Sequence, residues 1–446
     1  MHAGRDWDPE WGYVNPPVVR ASTVLHKSCE DMMDRVHDEM ACRDGKPCYG
    51  SYGGPAHKAF YSAMKTLEGP NAAGAWAFST GLAATTTPLF AFVRAGCHAL
   101  FSDSIYGPTR EFAEQILRTM GVDVEFFDPA ASPEAIEAMM RPETMLLMME
   151  NPGSHSFEMS DVPGIAAACR RHGVTSVIDN TWATPLYFKP LDHGVDMVVH
   201  AATKYIAGHS DLLMGVVVCN ERVWPAVYRT AVRLGQAASP DDVYLAYRGL
   251  HTMGVRVAHA AKSAERIVHW LLERPEVETV RWPALESDPS HAIWKRDYTG
   301  ATSLFAVVFR PEYDGRLAPF VDALKLFGRG YSWGGYESLL IPSYGTRSVR
   351  ENTFSRMVRI AVGLESPDDL IADLEQALKR LRDRPECITS GIMHCVFCLQ
   401  NIVAWAIILD YSDVPDPRFR YRENISQVTV AKTRNDGDGG NKGKRL

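Results

Sequence analysis

Between about residues 60 and 220, short runs of apolar residues alternate with segments of helical periodicity, and this alternation limits the possible fold more than any other feature. Continuous apolar strands between helices are typical of a mostly parallel sheet that is covered on both faces. The seven runs that predict strands are Ala75–Phe78, Ala99–Phe101, Val124–Phe127, Met145–Met149, Ser176–Ile178, Met197–Val199 and Val216–Cys219. The sequence therefore predicts an α/β fold with a seven-stranded, mostly parallel sheet and helices on both faces, the latter including Gly81–Val93, Thr109–Met120 and Val162–His172.

A smaller α+β region is predicted after this sheet. A helical segment over 245–272 precedes three further strand candidates, which are Val277–Val280, Leu304–Phe309 and Met357–Ala361. A closing helix is predicted to begin near Ser366 and Pro367, because serine suits an N-cap and proline suits the first turn.

The chain of 446 residues is long enough to form more than one domain. Asn15-Pro16-Pro17 fixes an extended segment, so residues 1–50 are predicted to form an irregular arm. We expect a large domain over 51–250 and a small α+β domain over 251–385. Residues 386–446 are expected to be a tail that is partly disordered, because its end is rich in Gly, Asp, Asn and Lys.

The overall composition argues against two classes of partner. The net charge of −7, without a basic stripe, argues against a nucleic-acid-binding protein. The longest apolar run, from Ile402 to Leu409, is far shorter than the roughly 20 residues that a membrane-spanning helix needs. The N-terminus is polar and lacks the apolar segment of a signal peptide.

The cysteines indicate reduced thiols rather than disulfides or a metal site. There are nine of them, scattered along the chain, which fits a cytoplasmic protein. Cys395 and Cys398 form a Cys-x-x-Cys with Cys387 nearby, but a second pair at zinc-ligand spacing is missing. We therefore expect no metal.

Two polar residues at the ends of predicted strands point to a cofactor. Asp179 ends the run Ser176–Ile178, and Lys204 follows the run Met197–Val199. A lysine amine can form a Schiff base with the aldehyde of pyridoxal 5'-phosphate (PLP), and an aspartate can keep the pyridinium nitrogen of this cofactor protonated. A lone lysine is usually a surface residue, but this pairing favours a PLP site.

Two further segments could complete such a site. The turn Ser79–Ala84 follows a strand and opens a helix, whose first N–H groups can bind a phosphate, and the hydroxyl of Thr203 could assist. Tyr106 follows another strand, at the sheet edge where ligands bind, and could stack on a pyridine ring. Taken alone, a plain tight turn is the more common explanation of the first signal, and ordinary packing is the more common explanation of the second.

An ordered series of motifs resembles the Cys/Met-metabolism family of PLP-dependent enzymes, and within it the bacterial-type cystathionine β-lyases. The resemblance covers residues 2–384. Its blocks are His2–Arg5, Asn15–Pro17, Tyr49-Gly50, Ser79–Ala84, Tyr106, Glu150–Ser154, Asp179–Thr181, Ala202–Tyr205, Gly208–Asp211, Ser332–Leu339 and Arg359–Glu365. It implies the PLP-dependent transferase-like fold of type I, as found in aspartate aminotransferase.

The resemblance also implies roles for single residues. Lys204 would form the Schiff base and move the substrate Cα proton, Asp179 would pair with the pyridinium nitrogen, and Tyr106 would stack on the ring. The phosphate would be held by Gly81, Leu82 and Thr203.

Other implied roles concern the substrate and the assembly. Arg359 would bind the substrate α-carboxylate, and Ser332 and Trp333 would lie beside the substrate. Tyr49 would reach into the site of a neighbouring subunit, so a homodimer or homotetramer with shared active sites is expected.

The reaction type follows from two positions in the resemblance. Trp333 after Ser332 is similar to the β-acting branch, whereas γ-acting members more often have leucine, and Pro108 stands where a methionine γ-lyase would have cysteine. The expected reaction is α,β-elimination of L-cystathionine, an amino-acid thioether, to homocysteine, pyruvate and ammonia. The alternatives are a γ-lyase or γ-synthase, or a non-catalytic homologue that binds PLP weakly.

One position departs from the family pattern. Ser51 stands where family members have an arginine that contacts the cofactor phosphate. A hydrogen bond to a charged group contributes about 1.5–3 kcal/mol, so we expect weaker PLP binding, unless Lys58 or Arg43 supplies the missing charge.

Overall fold

The computed structural model describes residues 2–4, 12–42 and 46–382. Its large sheet has seven strands in the order β1-β7-β6-β5-β4-β2-β3, with parallel pairing except for β7, which is antiparallel to both neighbours. The strands are β1 (Gly74–Phe78), β2 (His98–Ser102), β3 (Asp123–Phe127), β4 (Thr144–Glu150), β5 (Thr175–Asp179), β6 (Met197–His200) and β7 (Gly215–Cys219). All seven predicted strands and the mostly parallel sheet are confirmed.

Helices cover both faces of this sheet. The α-helices are α1 (Cys29–Met40), α2 (Pro55–Glu68), α3 (Gly81–Thr86), α4 (Gly107–Glu111), α5 (Pro133–Glu137), α6 (Val162–His172), α7 (Thr184–Tyr187), α8 (Trp224–Arg233), α9 (Pro240–Leu272), α10 (His291–Asp297), α11 (Ala318–Ala323) and α12 (Pro367–Arg382). Successive strand residues enter opposite cores: Leu100 and Ile178 belong to one apolar cluster, and Phe101 and Val177 to the other. This alternation explains why the strands read as continuous apolar runs.

A second, antiparallel sheet has four strands in the order β10-β11-β9-β8. They are β8 (Val277–Arg281), β9 (Leu304–Phe309), β10 (Leu339–Pro342) and β11 (Met357–Ala361). The smaller α+β region is thereby confirmed, although β10 was not predicted, because its four residues end in proline and lie within a loop-like sequence. The predicted domain boundary at residue 250 falls inside α9. The division into two domains at this residue stays a prediction.

The N-terminal segment and two helices differ from the predictions. Residues 1–50 are not wholly irregular, because they contain α1, which Ser28 caps by accepting a hydrogen bond from the Asp31 amide. None of the α1 side chains is buried, so no apolar stripe marked this helix. The predicted helix over 81–93 changes to a 3₁₀ helix at Thr87–Ala91, where Pro88 has no N–H to donate. The predicted helix 109–120 instead begins at Gly107 and continues as a π-helix over 112–117.

The sheet register places the polar residues that the sequence singled out. Glu150 at the end of β4 pairs with Asp179 at the end of β5, and Asp179 pairs with Val199 in β6. Lys204 follows β6 after a short turn. In the small sheet, Arg359 in the middle of β11 lies between β9 and β10. The two sheets thus present charged residues from strand ends and from one central strand.

Several predictions fall outside these observations. Cys387, Cys395 and Cys398 lie outside the described residues. Within the described ranges, no helix is long and apolar enough to cross a membrane. The same ranges contain no group of three or more His, Cys, Asp or Glu side chains placed to hold a metal ion.

We predict that Asp373 fixes α12 to the chain that follows α11. Its buried carboxylate accepts hydrogen bonds from the amides of Lys325, Leu326 and Phe327. Asp373→Ala should lower the free energy of unfolding by about 1–3 kcal/mol, because these amides would lose their acceptor. Urea unfolding measures the change, and Glu375→Ala, at an exposed position of the same helix, is the control. Equal stability of the two variants would contradict this role.

Candidate active site

A cavity of about 330 Å³ lies at the ends of β4 and β5 and gathers side chains from distant segments of the chain. It contains nine of the ten site residues predicted from the sequence: Gly81, Leu82, Tyr106, Asp179, Thr203, Lys204, Ser332, Trp333 and Arg359. The tenth, Tyr49, does not line it. A larger groove of about 1110 Å³, lined by Asp192 and Arg222 among others, contains none of the ten. We therefore place the candidate site in the smaller cavity.

Lys204 has the most reactive side chain in this cavity. Its Nζ donates a hydrogen bond to Ser332 Oγ at 2.7 Å and lies 5.4 Å from the centre of the Trp333 ring. Burial, and then the nearby positive charge of Arg359, lower the pKa of Lys204 to about 8, while Asp179 opposes the shift. A lysine with such a pKa is partly neutral near neutral pH and can act as a nucleophile or base.

Asp179 and Glu150 form a pair of partly buried carboxyl groups at adjacent strand ends. Burial raises the pKa of both, and the neighbouring Asp179 raises that of Glu150 further. The hydroxyl and amide of Thr181 donate hydrogen bonds to Asp179, and Lys204 is close; both effects favour the ionised form of Asp179. The pKa of Glu150 is the more strongly raised of the two, so Asp179 is the carboxylate better suited to face a pyridinium nitrogen.

Glu150 has a positioning role that was not predicted from the sequence. Its Oε2 accepts a hydrogen bond from the Tyr106 amide at 2.6 Å, which fixes the tyrosine at the start of α4. The signal that could have found it was available, because Glu150 ends a predicted strand just as Asp179 does.

The backbone at the start of α3 lies very close to Ala201, which follows β6. A Cβ on Gly81 would lie only 2.7 Å from Ala201 Cβ, so only glycine fits there. Thr80 caps the helix by accepting from the Ala83 amide at 3.0 Å. The first N–H groups of a helix have no partner within it and suit a phosphate, so the cradle fits the phosphate of PLP.

Thr203 has structural bonds of its own. Its hydroxyl donates to the Met214 carbonyl at 3.2 Å and accepts from the Met214 amide at 2.9 Å. The hydroxyl proton is thus already shared with the protein, and a bond from Thr203 to a phosphate stays a prediction.

Arg359 and the loop before β10 form the opposite wall of the cavity. The Arg359 guanidinium donates to the Ser332 carbonyl at 3.1 Å. Burial lowers the pKa of Arg359, but a guanidinium remains charged in proteins. Ser332 has a φ of +84°, and at Gly334 a Cβ would lie 2.8 Å from the Tyr205 amide nitrogen. This tight loop places Ser332 against Lys204, and the free face of the Arg359 fork suits a carboxylate.

His155 also lines the cavity, and nothing in the sequence singled it out. It is buried, its ring meets the Tyr344 ring edge to face at 4.8 Å, and its Nδ1 has no hydrogen-bond partner among the described residues. Burial, followed by the positive charge of Arg359, lowers the pKa of His155 to about 3. The ring is therefore neutral at physiological pH.

Tyr49, predicted to reach a neighbouring subunit, and the described residues linked to the altered phosphate contact do not line this cavity. Tyr49 is 51% exposed, and Ser51 lies in the 3₁₀ helix Gly50–Tyr52. Lys58 is on α2, and Arg43 is outside the described residues. None of the described three lines the cavity of its own chain, so their roles stay predictions.

Comparisons with known proteins agree with this site. Residues 1–379 match the family described as Cys/Met metabolism PLP-dependent enzyme. A putative cystathionine β-lyase of Rhizobium johnstonii is 45% identical over 84% of this chain and 93% of its own length. The cystathionine β-lyase MetC of Escherichia coli is 37% identical over 85% of this chain and 97% of its own length.

A solved structure shows the same fold. The cystathionine γ-lyase of Lactobacillus plantarum in complex with L-serine superposes with a TM-score of 0.76 at 27% identity, over 85% of this chain and 97% of that structure. The predicted type I fold and the PLP cofactor are confirmed. The chain therefore belongs to the Cys/Met-metabolism family of PLP-dependent enzymes.

Proposed function

We propose that this enzyme is a carbon–sulfur lyase that cleaves L-cystathionine to homocysteine, pyruvate and ammonia by α,β-elimination. The observation that carries the proposal is the amine of Lys204, held at 2.7 Å by Ser332, with a lowered pKa and with Arg359 in the same cavity. The names of the two relatives, at 45% and 37% identity, support the same reaction.

Each of these side chains has a defined task in the reaction. The PLP ring, when bound, withdraws electrons from the substrate Cα and so makes its proton acidic. Arg359 binds the α-carboxylate and orients the substrate, and the Lys204 amine takes the Cα proton and can return it to the departing sulfur. Proton transfer is efficient when the pKa of the base lies near the working pH, which a value of about 8 provides.

Other side chains keep these groups in place. The Ser332 hydroxyl accepts the Lys204 hydrogen bond and limits where the free amine can move. Glu150 holds the backbone of Tyr106, so that its ring can stack on the cofactor. We assign phosphate binding to Gly81, Leu82 and Thr203.

A γ-elimination is the second candidate, because the chain shares its fold with a cystathionine γ-lyase. Trp333, whose ring meets Tyr205 edge to face at 5.3 Å, narrows the cavity beside Lys204 and supports the β-acting assignment.

We further propose a homodimer or homotetramer with shared active sites. The exposed side chain of Tyr49, which does not line the cavity of its own chain, supports this assembly. The scattered cysteines support a cytoplasmic location.

The products decide between the two reactions. L-cystathionine should yield pyruvate, and Lys204→Ala should reduce its release by about 10²–10⁴-fold, the range for loss of one acid–base group. Pyruvate and 2-oxobutyrate are separated and measured by chromatography. Lys262→Ala, at an exposed position of α9, is the control. Release of 2-oxobutyrate instead of pyruvate would establish the γ-reaction and contradict our proposal.

The pKa of Lys204 predicts a pH dependence for cofactor uptake. Only a neutral amine attacks the PLP aldehyde, so the rate at which the apoprotein takes up PLP should rise with pH, with a midpoint near 8 instead of 10.5. Arg359→Gln removes a neighbouring positive charge and should move the midpoint upward. Visible absorbance of the bound cofactor measures the rate, and Lys204→Ala is the blank. A midpoint near 10.5 in the unmodified protein would contradict the lowered pKa.

Ser51 predicts weak retention of the cofactor in the assembled enzyme. Ser51→Arg should lower the Kd for PLP by roughly tenfold to a hundredfold, since a charged hydrogen bond to phosphate contributes about 1.5–3 kcal/mol. Fluorescence titration of the apoprotein measures the Kd, and Ser51→Gln tests side-chain size without the charge. Unchanged affinity in Ser51→Arg would show that another group already supplies the charge.

A further inference from the structure

The buried carboxylate of Asp103 lies between two segments that supply the active site. Asp103 directly follows β2, is only 1% exposed, and lies three residues before Tyr106. It does not line the active-site cavity. Burying a charge without a catalytic task needs compensation from other groups, and here that compensation comes from another part of the fold.

The compensating donors come chiefly from the loop that joins β10 to β11. Arg347 Nε donates to Asp103 Oδ2 at 2.7 Å, and the Ser348 amide and hydroxyl donate to Oδ1 at 2.8 and 3.0 Å. The amide of Arg350 donates to Oδ2 at 3.3 Å. From its own side of the contact, Arg110 in α4 also donates to Oδ1. One carboxylate thus joins the start of α4 to the β10–β11 loop.

A second carboxylate strengthens the same contact. Arg347 and Arg350 each pair with Glu158 at 2.8 Å, and the side chain of Arg347 is 5% exposed. The Arg347–Asp103 pair is buried, and such a pair is costly to break because one partner is left charged and unpaired, whereas the Arg350–Glu158 pair is partly exposed. The β10–β11 loop therefore contacts the segment after β2 at Asp103 and the segment after β4 at Glu158.

The two joined segments carry the side chains that would grip cofactor and substrate. Tyr106 lies at the start of α4, while the loop carries Tyr344, which lines the cavity and packs on His155, and leads into β11 with Arg359. We propose that Asp103 is a positioning residue that holds the β10–β11 loop on the α4 start and so sets where Tyr344 and Arg359 stand relative to Tyr106. This role rests on the proposed function only for its substrate readout.

The charge of Asp103 is present under all working conditions. Burial raises its pKa, but the hydrogen bonds from Arg347 and Ser348 outweigh this effect and hold the pKa at about 2. The contact therefore does not depend on pH in the physiological range, and removing it requires a change of the side chain.

Asp103→Asn tests the role with little change in shape. Its amide turns a donor toward Arg347 or Ser348 and removes the negative charge, so the loop should loosen. We expect the KM for L-cystathionine to rise at least about tenfold, since small misplacements of binding groups are costly, with a much smaller change in kcat. The Kd for PLP and the visible absorbance of the bound cofactor should stay unchanged.

The matched control is Asp196→Asn, another buried carboxylate that pairs with an arginine, Arg222, but lies at the amino end of β6. Arg347→Gln removes the loop side of the contact. It should raise KM as Asp103→Asn does, and the double variant should add little further, because both remove one interaction. A wild-type KM in Arg347→Gln overturns the proposal, and this variant decides the matter if Asp103→Asn does not fold.

Trypsin cleavage after Arg350 provides a readout that does not need turnover. The loop should be cut faster in Asp103→Asn and in Arg347→Gln than in the wild type and in Asp196→Asn. Equal cleavage in all four proteins overturns the proposal that Asp103 holds the β10–β11 loop. If the wild type releases no pyruvate while the four proteins still differ in cleavage as expected, the proposed function is contradicted. The role of Asp103 in holding the loop is then still supported.

Discussion

The site depends on the parallel register of β4, β5 and β6, which brings partly buried charged groups together at one sheet edge. Glu150 and Asp179 are cross-strand neighbours, and Lys204 follows the next strand. Two carboxyl groups and an amine in a partly buried place cannot all keep their ordinary pKa values. Burial and Arg359 lower the pKa of Lys204, while hydrogen bonds from Thr181 favour the ionised form of Asp179. The reactivity that the proposal needs follows from this arrangement.

The small sheet completes the site from the other side. Its central strand β11 carries Arg359, and the loop before β10 turns through a left-handed Ser332 to reach Lys204. The contact of Asp103 with the β10–β11 loop gives this wall a fixed attachment to the large sheet. In the proposed reaction, substrate recognition would rely on the fit between two sheets that lie far apart in sequence.

Much of this could be predicted from the chain alone where a local signal existed. The seven strands were visible as apolar runs because both sheet faces are covered, and Asp179 and Lys204 were visible as polar residues at strand ends. Helix α1 and strand β10 were missed because one buries no side chain and the other is short and ends in proline. His155 and Asp103 were missed because their environments are made by residues such as Tyr344 and Arg347, distant in sequence.

The sequence by itself determined the strands, the order of the motifs and the chemical types of the reactive groups, because these follow from local periodicity and side-chain chemistry. Only the tertiary structure decided which carboxyl group has the more strongly raised pKa, why the pKa of Lys204 falls, and which loop contacts Asp103. Burial and the distance between charges set these properties, and both arise when segments far apart in the chain pack against one another.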